Sequence, residues 1–115
     1  MTNYKDYLSG TLQVLHDSQK VGGIYDVSVL GKTFKVYPQV FSPKFFFDTE
    51  IFARELPIKK AQRVLEIGPG TGVISIFAAF KGASKVVSID INPSAVHNTK
   101  ENVKLHSLDS VIDVR

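Results

Sequence analysis

The run Val64-Leu65-Glu66-Ile67 breaks off into Gly68-Pro69-Gly70-Thr71-Gly72, and an apolar stretch from Val73 to Phe80 follows at once. That order of residues constrains the chain more than any other feature. It describes a short strand, a tight loop and a helix with almost no slack between them. Glycine, lacking a Cβ, permits the sharp turn and lets a ligand lie on the backbone beside the amide N–H groups of a helix N-terminus. The strand-then-helix rhythm then repeats. Gly82 closes the first helix as a C′ glycine, Lys85 to Ile89 is a second strand, and Asn92 and Pro93 open a second helix that runs to about His106. Val111-Ile112-Asp113-Val114 begins a third strand. The nearly continuous apolar character of residues 64–67 is expected of a parallel strand covered on both faces. Two β-α-β units with right-handed crossovers predict an α/β, doubly wound sheet.

Upstream the pattern is different. Tyr4, Leu8, Leu12 and Leu15 recur at helical spacing and predict an amphipathic helix, which Gly22-Gly23 ends. Between Ile24 and Tyr37 the apolar residues alternate: Tyr25, Val27 and Val29, then Gly31-Lys32 as a turn, then Phe34 and Val36. This predicts a β-hairpin. Asp48 or Thr49 caps a further helix running to about Leu56, where Pro57 stops it. The chain therefore divides into residues 1–57, with an N-terminal helix, hairpin and prefatory helix, and residues 58–115, the start of the α/β domain. The aromatic group Phe41, Phe45, Phe46 and Phe47 is expected to pack the first part onto the sheet.

Composition excludes several classes. With 115 residues, 43% hydrophobic, 22% charged and a net charge of +3, the chain is neither disordered nor fibrous. The absence of cysteine removes disulfides, thiolate metal sites and cysteine nucleophiles. No apolar stretch has the length of a membrane span, and Met1 to Leu8 lacks a signal-peptide core, so the expected location is the cytoplasm.

Asp90 ends the second strand, where a carboxylate accepts hydrogen bonds from the vicinal hydroxyls of a ribose. Its alternative task, capping the helix at Pro93, is better filled by Asn92. A dinucleotide fingerprint, Gly-x-Gly-x-x-Gly, requires its third glycine at position 73, which is Val73. Glu66, two residues before the first glycine, also suits an amino group better than a pyrophosphate. A nicotinamide-dependent oxidoreductase is thereby disfavoured. His16, His97 and His106 have no metal-ligand spacing and are expected in surface or capping roles, while Ser75 and Ser88, in apolar runs without a partnered histidine, give no support for nucleophilic catalysis.

From about Val36 to Arg115 the sequence resembles the class I S-adenosylmethionine-dependent methyltransferases. Val64 to Gly72 is similar to that family's first motif, and Val86-Val87-Ser88-Ile89-Asp90-Ile91-Asn92-Pro93-Ser94-Ala95-Val96 to its second. The resemblance implies a Rossmann-like sheet of seven strands, in the order 3-2-1-4-5-7-6, and S-adenosyl-L-methionine as cofactor. It implies that Gly68, Gly70, Thr71 and Gly72 lie against the cofactor, that Glu66 acts near its amino group, that Asp90 holds the ribose and that Ile91 flanks the adenine. The stretch Tyr37-Pro38-Gln39-Val40-Phe41-Ser42-Pro43, followed by Asp48-Thr49-Glu50, is similar to the segment preceding the first motif in methyltransferases of ribosomal RNA bases or protein glutamines. Thr49 is then expected near the methionine end. The methyl acceptor is expected to be a nitrogen of an RNA base or a protein side chain. No Asn-Pro-Pro-Tyr-like motif occurs, so the chain reads as the N-terminal part of an enzyme whose catalytic loop lies elsewhere; the alternative is a non-catalytic cofactor-binding or assembly module. With the first strand lacking its fourth-strand neighbour, association through an exposed sheet edge is expected, unless the hairpin covers that edge.

Overall fold

The computed structural model describes residues 23–42 and 48–115, so the helix expected around Tyr4 to Leu15 and the run Phe45-Phe46-Phe47 lie outside the described residues. Strands β1 (Tyr25–Val29) and β2 (Lys32–Val36) pair antiparallel, with Val27 opposite Phe34. The turn is Leu30-Gly31, at φ 48° and 78°, one residue earlier than expected. Two successive left-handed residues match the twist of the flanking strands, and Lys32 already stands in the ladder opposite Val29. Alternation then puts Val27, Val29, Phe34 and Val36 on one buried face.

Helix α1 (Asp48–Glu55) precedes β3 (Arg63–Ile67), α2 (Val73–Phe80), β4 (Lys85–Ile89), α3 (Pro93–Leu105) and β5 (Ile112–Val114). The three later strands are parallel in the order β3-β4-β5, with Glu66 beside Ser88 and Ser88 beside Val114. This is the expected α/β arrangement with a parallel sheet, which grows in one direction from β3 over the described residues. Helix α2 ends as predicted: the Ala83 and Gly82 N–H groups donate to the Ala78 and Ala79 carbonyls at 3.1 and 3.0 Å, with Gly82 at φ 103°. At the start of α3, Asn92 Oδ1 accepts from the Ser94 N–H at 3.0 Å, with Pro93 in the first turn.

Right-handed crossovers in a sheet that grows one way place α2 and α3 on the same face. Val86, Ser88 and Ile112 are buried there. On the other face Leu65 and Ile67 remain 60% and 79% exposed, so β3 is not covered on both faces as its apolar run suggested. An apolar sequence reports what a strand can bury; only the placement of the helices decides which side is covered.

The hairpin docks on α3 and not on the outer edge of β3. Asn102 Oδ1 accepts from the Lys35 N–H at 2.7 Å, and Asn98 Oδ1 from the Tyr37 N–H at 2.9 Å. Both amide nitrogens donate to the Lys35 carbonyl at 2.8 Å. Asn98 and Asn102, one helical turn apart, thus supply to β2 the donors and acceptors that a third strand would supply. The Phe34 ring packs against Phe77 and His106, with centroids at 5.9 and 5.0 Å; His106, the C-cap residue of α3, also reaches the hairpin with Nε2 2.8 Å from the Thr33 carbonyl oxygen. Phe41, expected in the core, is 66% exposed. It follows the turn closed by the Val40 N–H on the Tyr37 carbonyl, which carries it to the rim of a cavity.

Candidate cofactor-binding site

At the C-terminal end of β3 the Gly68 N–H donates to the Ile89 carbonyl at 2.8 Å, and the chain turns through Gly68, Gly70 and Gly72 at φ 75°, 60° and 89°. All three are in the left-handed region, which glycine adopts without steric cost. Beside this loop lies a cavity of about 370 Å³. Gly68 and Gly70 form one wall, Asp90, Asn92 and Ala95 a second, and Pro38 to Phe41 a third. It opens beyond the carboxyl ends of parallel strands, where α/β sheets hold their ligands.

Asp90 spans the mouth between two of these walls. Its Oδ1 accepts from the Asn92 N–H at 2.9 Å, and Oδ2 stands 3.4 Å from the Gly70 nitrogen. The second contact is too long to saturate a carboxylate oxygen, which retains acceptor capacity toward the cavity. Ile91, next in sequence, is fully exposed.

Glu66 serves the loop from behind. Helix α2 has Gly72 as its N-cap and so no side-chain cap of its own. Glu66 Oε1 fills that place from the preceding strand, accepting from the Ser75 N–H at 3.1 Å and the Ser75 hydroxyl at 2.6 Å. A carboxylate there also complements the positive end of the helix. Ser75 Oγ is in turn 2.5 Å from Ser88 Oγ on β4. Burial raises the Glu66 carboxyl above its ordinary range, the Ser75 bonds oppose this, and the negative charge of Asp90 adds to it. A folded-state value above the unfolded one means the folded chain holds this proton more tightly. Glu66 therefore contributes stability below pH 4.5 that is lost as pH rises through its folded value. Glu66→Gln, which keeps an acceptor for Ser75, is expected to flatten that decline, as read from urea midpoints between pH 4 and 7.5; an unchanged slope would refute the assignment.

The sequence-predicted residues divide accordingly. Gly68, Gly70 and Asp90 line the cavity, whereas Thr71 and Gly72 continue the loop without lining it, Glu66 stands behind the loop on β3, and Thr49, in the first turn of α1, is not among the lining residues. Crowding is greatest at Gly72: a Cβ there would meet Thr99 Cγ2 at 2.8 Å, while one at Gly70 would meet Val40 Cγ1 at an ordinary 3.6 Å. Sequence reasoning passed over Asn98, Thr99 and Asn102, all fully buried. A signal was available, because Ala95, Asn98, Thr99, Asn102 and Val103 follow the helical stripe i, i+3, i+4, i+7, i+8. Three polar residues on a buried face require partners.

The family model for ribosomal protein L11 methyltransferase (PrmA) matches residues 49–115. A putative protein N5-glutamine methyltransferase of Methanocaldococcus jannaschii is 43% identical over 83 residues, which are 72% of this chain and 41% of that protein. A ribosomal protein L11 methyltransferase of Anoxybacillus flavithermus is 42% identical over 64 residues, 56% of this chain and 20% of its own. Among solved structures, M. jannaschii Trm5 in complex with adenosine superposes with a TM-score of 0.65 at 26% identity, covering 79% of this chain and 28% of that one. The chain thus spans less than half the length of the relatives it matches.

Proposed function

We propose, because this chain belongs to the ribosomal protein L11 methyltransferase family, that its cavity is the adenosyl-binding half of an S-adenosylmethionine site and that the whole protein transfers a methyl group. The single observation that carries this reading is Asp90, poised on the rim of a glycine-walled cavity at the end of β4. The chemistry of the walls fits the group: two glycines leave the backbone open, Asp90 offers carboxylate oxygen to vicinal hydroxyls, and Pro38, Val40, Phe41 and Ala95 give an apolar side for a purine. The adenosine complex of the M. jannaschii relative supports that use of the fold. The cofactor, when bound, supplies an electrophilic methyl group on a sulfonium.

Within this chain, Asp90 orients the ribose, the backbone from Gly68 to Gly72 lies along the cofactor and Ile91 flanks the base. Glu66 has Oε1 engaged by Ser75, so Oε2 meets the amino group, directly or through water. Thr49 lies on the methionine side only if the cofactor extends toward α1. The acceptor is a nitrogen of a protein side chain or an RNA base; the names of the relatives favour protein. Among the described residues no helix is long and apolar enough to cross a membrane, and we place the protein in the cytoplasm.

Asp90→Ala is expected to weaken binding of S-adenosylhomocysteine by about 10- to 150-fold, the loss of charge-assisted hydrogen bonds worth roughly 1.5–3 kcal/mol. Calorimetric titration checks this, with NAD as the competing ligand. Unchanged affinity in Asp90→Ala, or preferential binding of NAD, would overturn the site. β3 also pairs only with β4 among the described residues and exposes Leu65 and Ile67. Self-association through that strand is therefore expected, and a mass of 12.7 kDa at all concentrations in light scattering would refute it.

A further inference from the structure

Two of the three walls of the cavity hang from one turn of α3. On the glycine-loop side, Thr99 Oγ1 donates to the Gly70 carbonyl at 3.0 Å and Asn102 Nδ2 to the Thr71 carbonyl at 2.7 Å. On the other side, Asn98 Oδ1 accepts from the Tyr37 N–H at 2.9 Å, immediately before the wall that begins at Pro38. Asn98, Thr99 and Asn102 are fully buried and none lines the cavity. Resting on the reading of the cavity as an S-adenosylmethionine site, we infer that the polar seam Asn98-Thr99-Asn102 is a positioning device for that site, with Thr99 as the residue that fixes the glycine loop.

The physical argument begins with the peptide plane. A trans peptide directs its N–H opposite to its carbonyl, so holding the Gly70 oxygen toward α3 turns the Thr71 N–H away from the helix. That peptide joins Gly70, at φ 60°, to Thr71, and Gly72, at φ 89°, follows one residue on; because glycine populates many conformations, the loop by itself holds the peptide's orientation only weakly. A loop built to bring backbone against a ligand therefore needs an external restraint, and Thr99 supplies it twice over. Its hydroxyl holds Gly70, and its methyl stands where a side chain on Gly72 would have to go. Helix α3 begins at the cavity, with Asn92 and Ala95 in the wall. A shift in its register would move all three walls together. The Ser94 hydroxyl donating to Gln39 Oε1 at 2.9 Å ties the same helix to the Pro38–Phe41 wall at a second point.

The test compares Thr99→Val, which preserves shape and removes the donor, with Thr99→Ser, which keeps the donor and removes the methyl. Each chain is titrated with S-adenosylhomocysteine, melted, and followed by amide hydrogen exchange at Gly70, Thr71 and Gly72. Thr99→Val is expected to bind roughly five- to tenfold more weakly and to exchange faster at these amides, with protection in β3 and β4 retained. Thr99→Ser is expected to bind within about twofold of the original chain, a rescue that packing alone does not predict. Equal affinity in Thr99→Val, or Thr99→Ser as weak as Thr99→Val, would overturn the inference. Should the original chain bind no S-adenosylhomocysteine, the reading of the cavity fails, and unchanged exchange in Thr99→Val would then refute the positioning role separately.

Discussion

Gly72→Ala is expected to destabilise the fold by about 3 kcal/mol, from two contributions with separate causes. At φ 89° an L-residue is strained, at roughly 1–2 kcal/mol. In addition, the new Cβ would lie 2.8 Å from Thr99 Cγ2 and 3.3 Å from Thr99 Cα, and overpacking of this kind costs about 1–3 kcal/mol. Backbone cannot rotate away as a side-chain end does, and Thr99 is itself held by Gly70. Gly68→Ala is the control, with a similar φ of 75° and no atom within 4 Å of the added Cβ. It is expected to show only the conformational part. Thr99→Ser removes the clashing methyl, so the Gly72→Ala/Thr99→Ser double variant is expected to recover about 1 kcal/mol beyond additivity. Urea denaturation of the original chain and the four variants Gly72→Ala, Gly68→Ala, Thr99→Ser and Gly72→Ala/Thr99→Ser decides the matter. Equal losses at positions 68 and 72 would show that the close approach of α3 is not what the third glycine serves.

Asn102→Ala is expected to cost about 3 kcal/mol or more and to release the hairpin from α3. The variant strands the Lys35 N–H and the Thr71 carbonyl and removes one of two donors to the Lys35 carbonyl. Each buried backbone group left without a partner costs about 1–3 kcal/mol. For a domain whose whole stability is on the order of 5–15 kcal/mol, that is a large share. The effect should be directional: amide protection is lost first across β1 and β2, while β4 and β5 persist. Because Phe34 packs on Phe77 and His106 from the hairpin side, an environment-sensitive shift of His106 in NMR gives a second reading. Uniform loss of protection throughout would show that the hairpin is not a separately docked layer.

The site itself was partly legible in advance. The glycine loop, Asp90 and the cap at Asn92 are all written in residues within a few positions of one another, and local backbone sterics and helix capping act over that range. Glu66 is legible as an acid before the glycines, yet its service as the missing cap of α2 is not. That role depends on β3 and α2 lying side by side after the turn. Thr49 is expected at the site from its place in a sequence segment; in the fold it lies in the first turn of α1 and is not among the residues that line the cavity.

The order of strands and helices, the αL glycines and the position of Asp90 at a strand end are local properties, since each follows from the steric and hydrogen-bonding needs of a few consecutive residues. Tertiary structure alone decided which face of the sheet is covered, where the hairpin docks and what holds the glycine loop. Lys35 and Asn102 are 67 residues apart, and Gly70 and Thr99 are 29 apart. A polar residue on a helix announces that it needs a partner if it is buried. Neither that burial nor the partner's identity exists until packing has brought distant backbone groups to it, and here the partners are carbonyls and N–H groups that every residue carries alike.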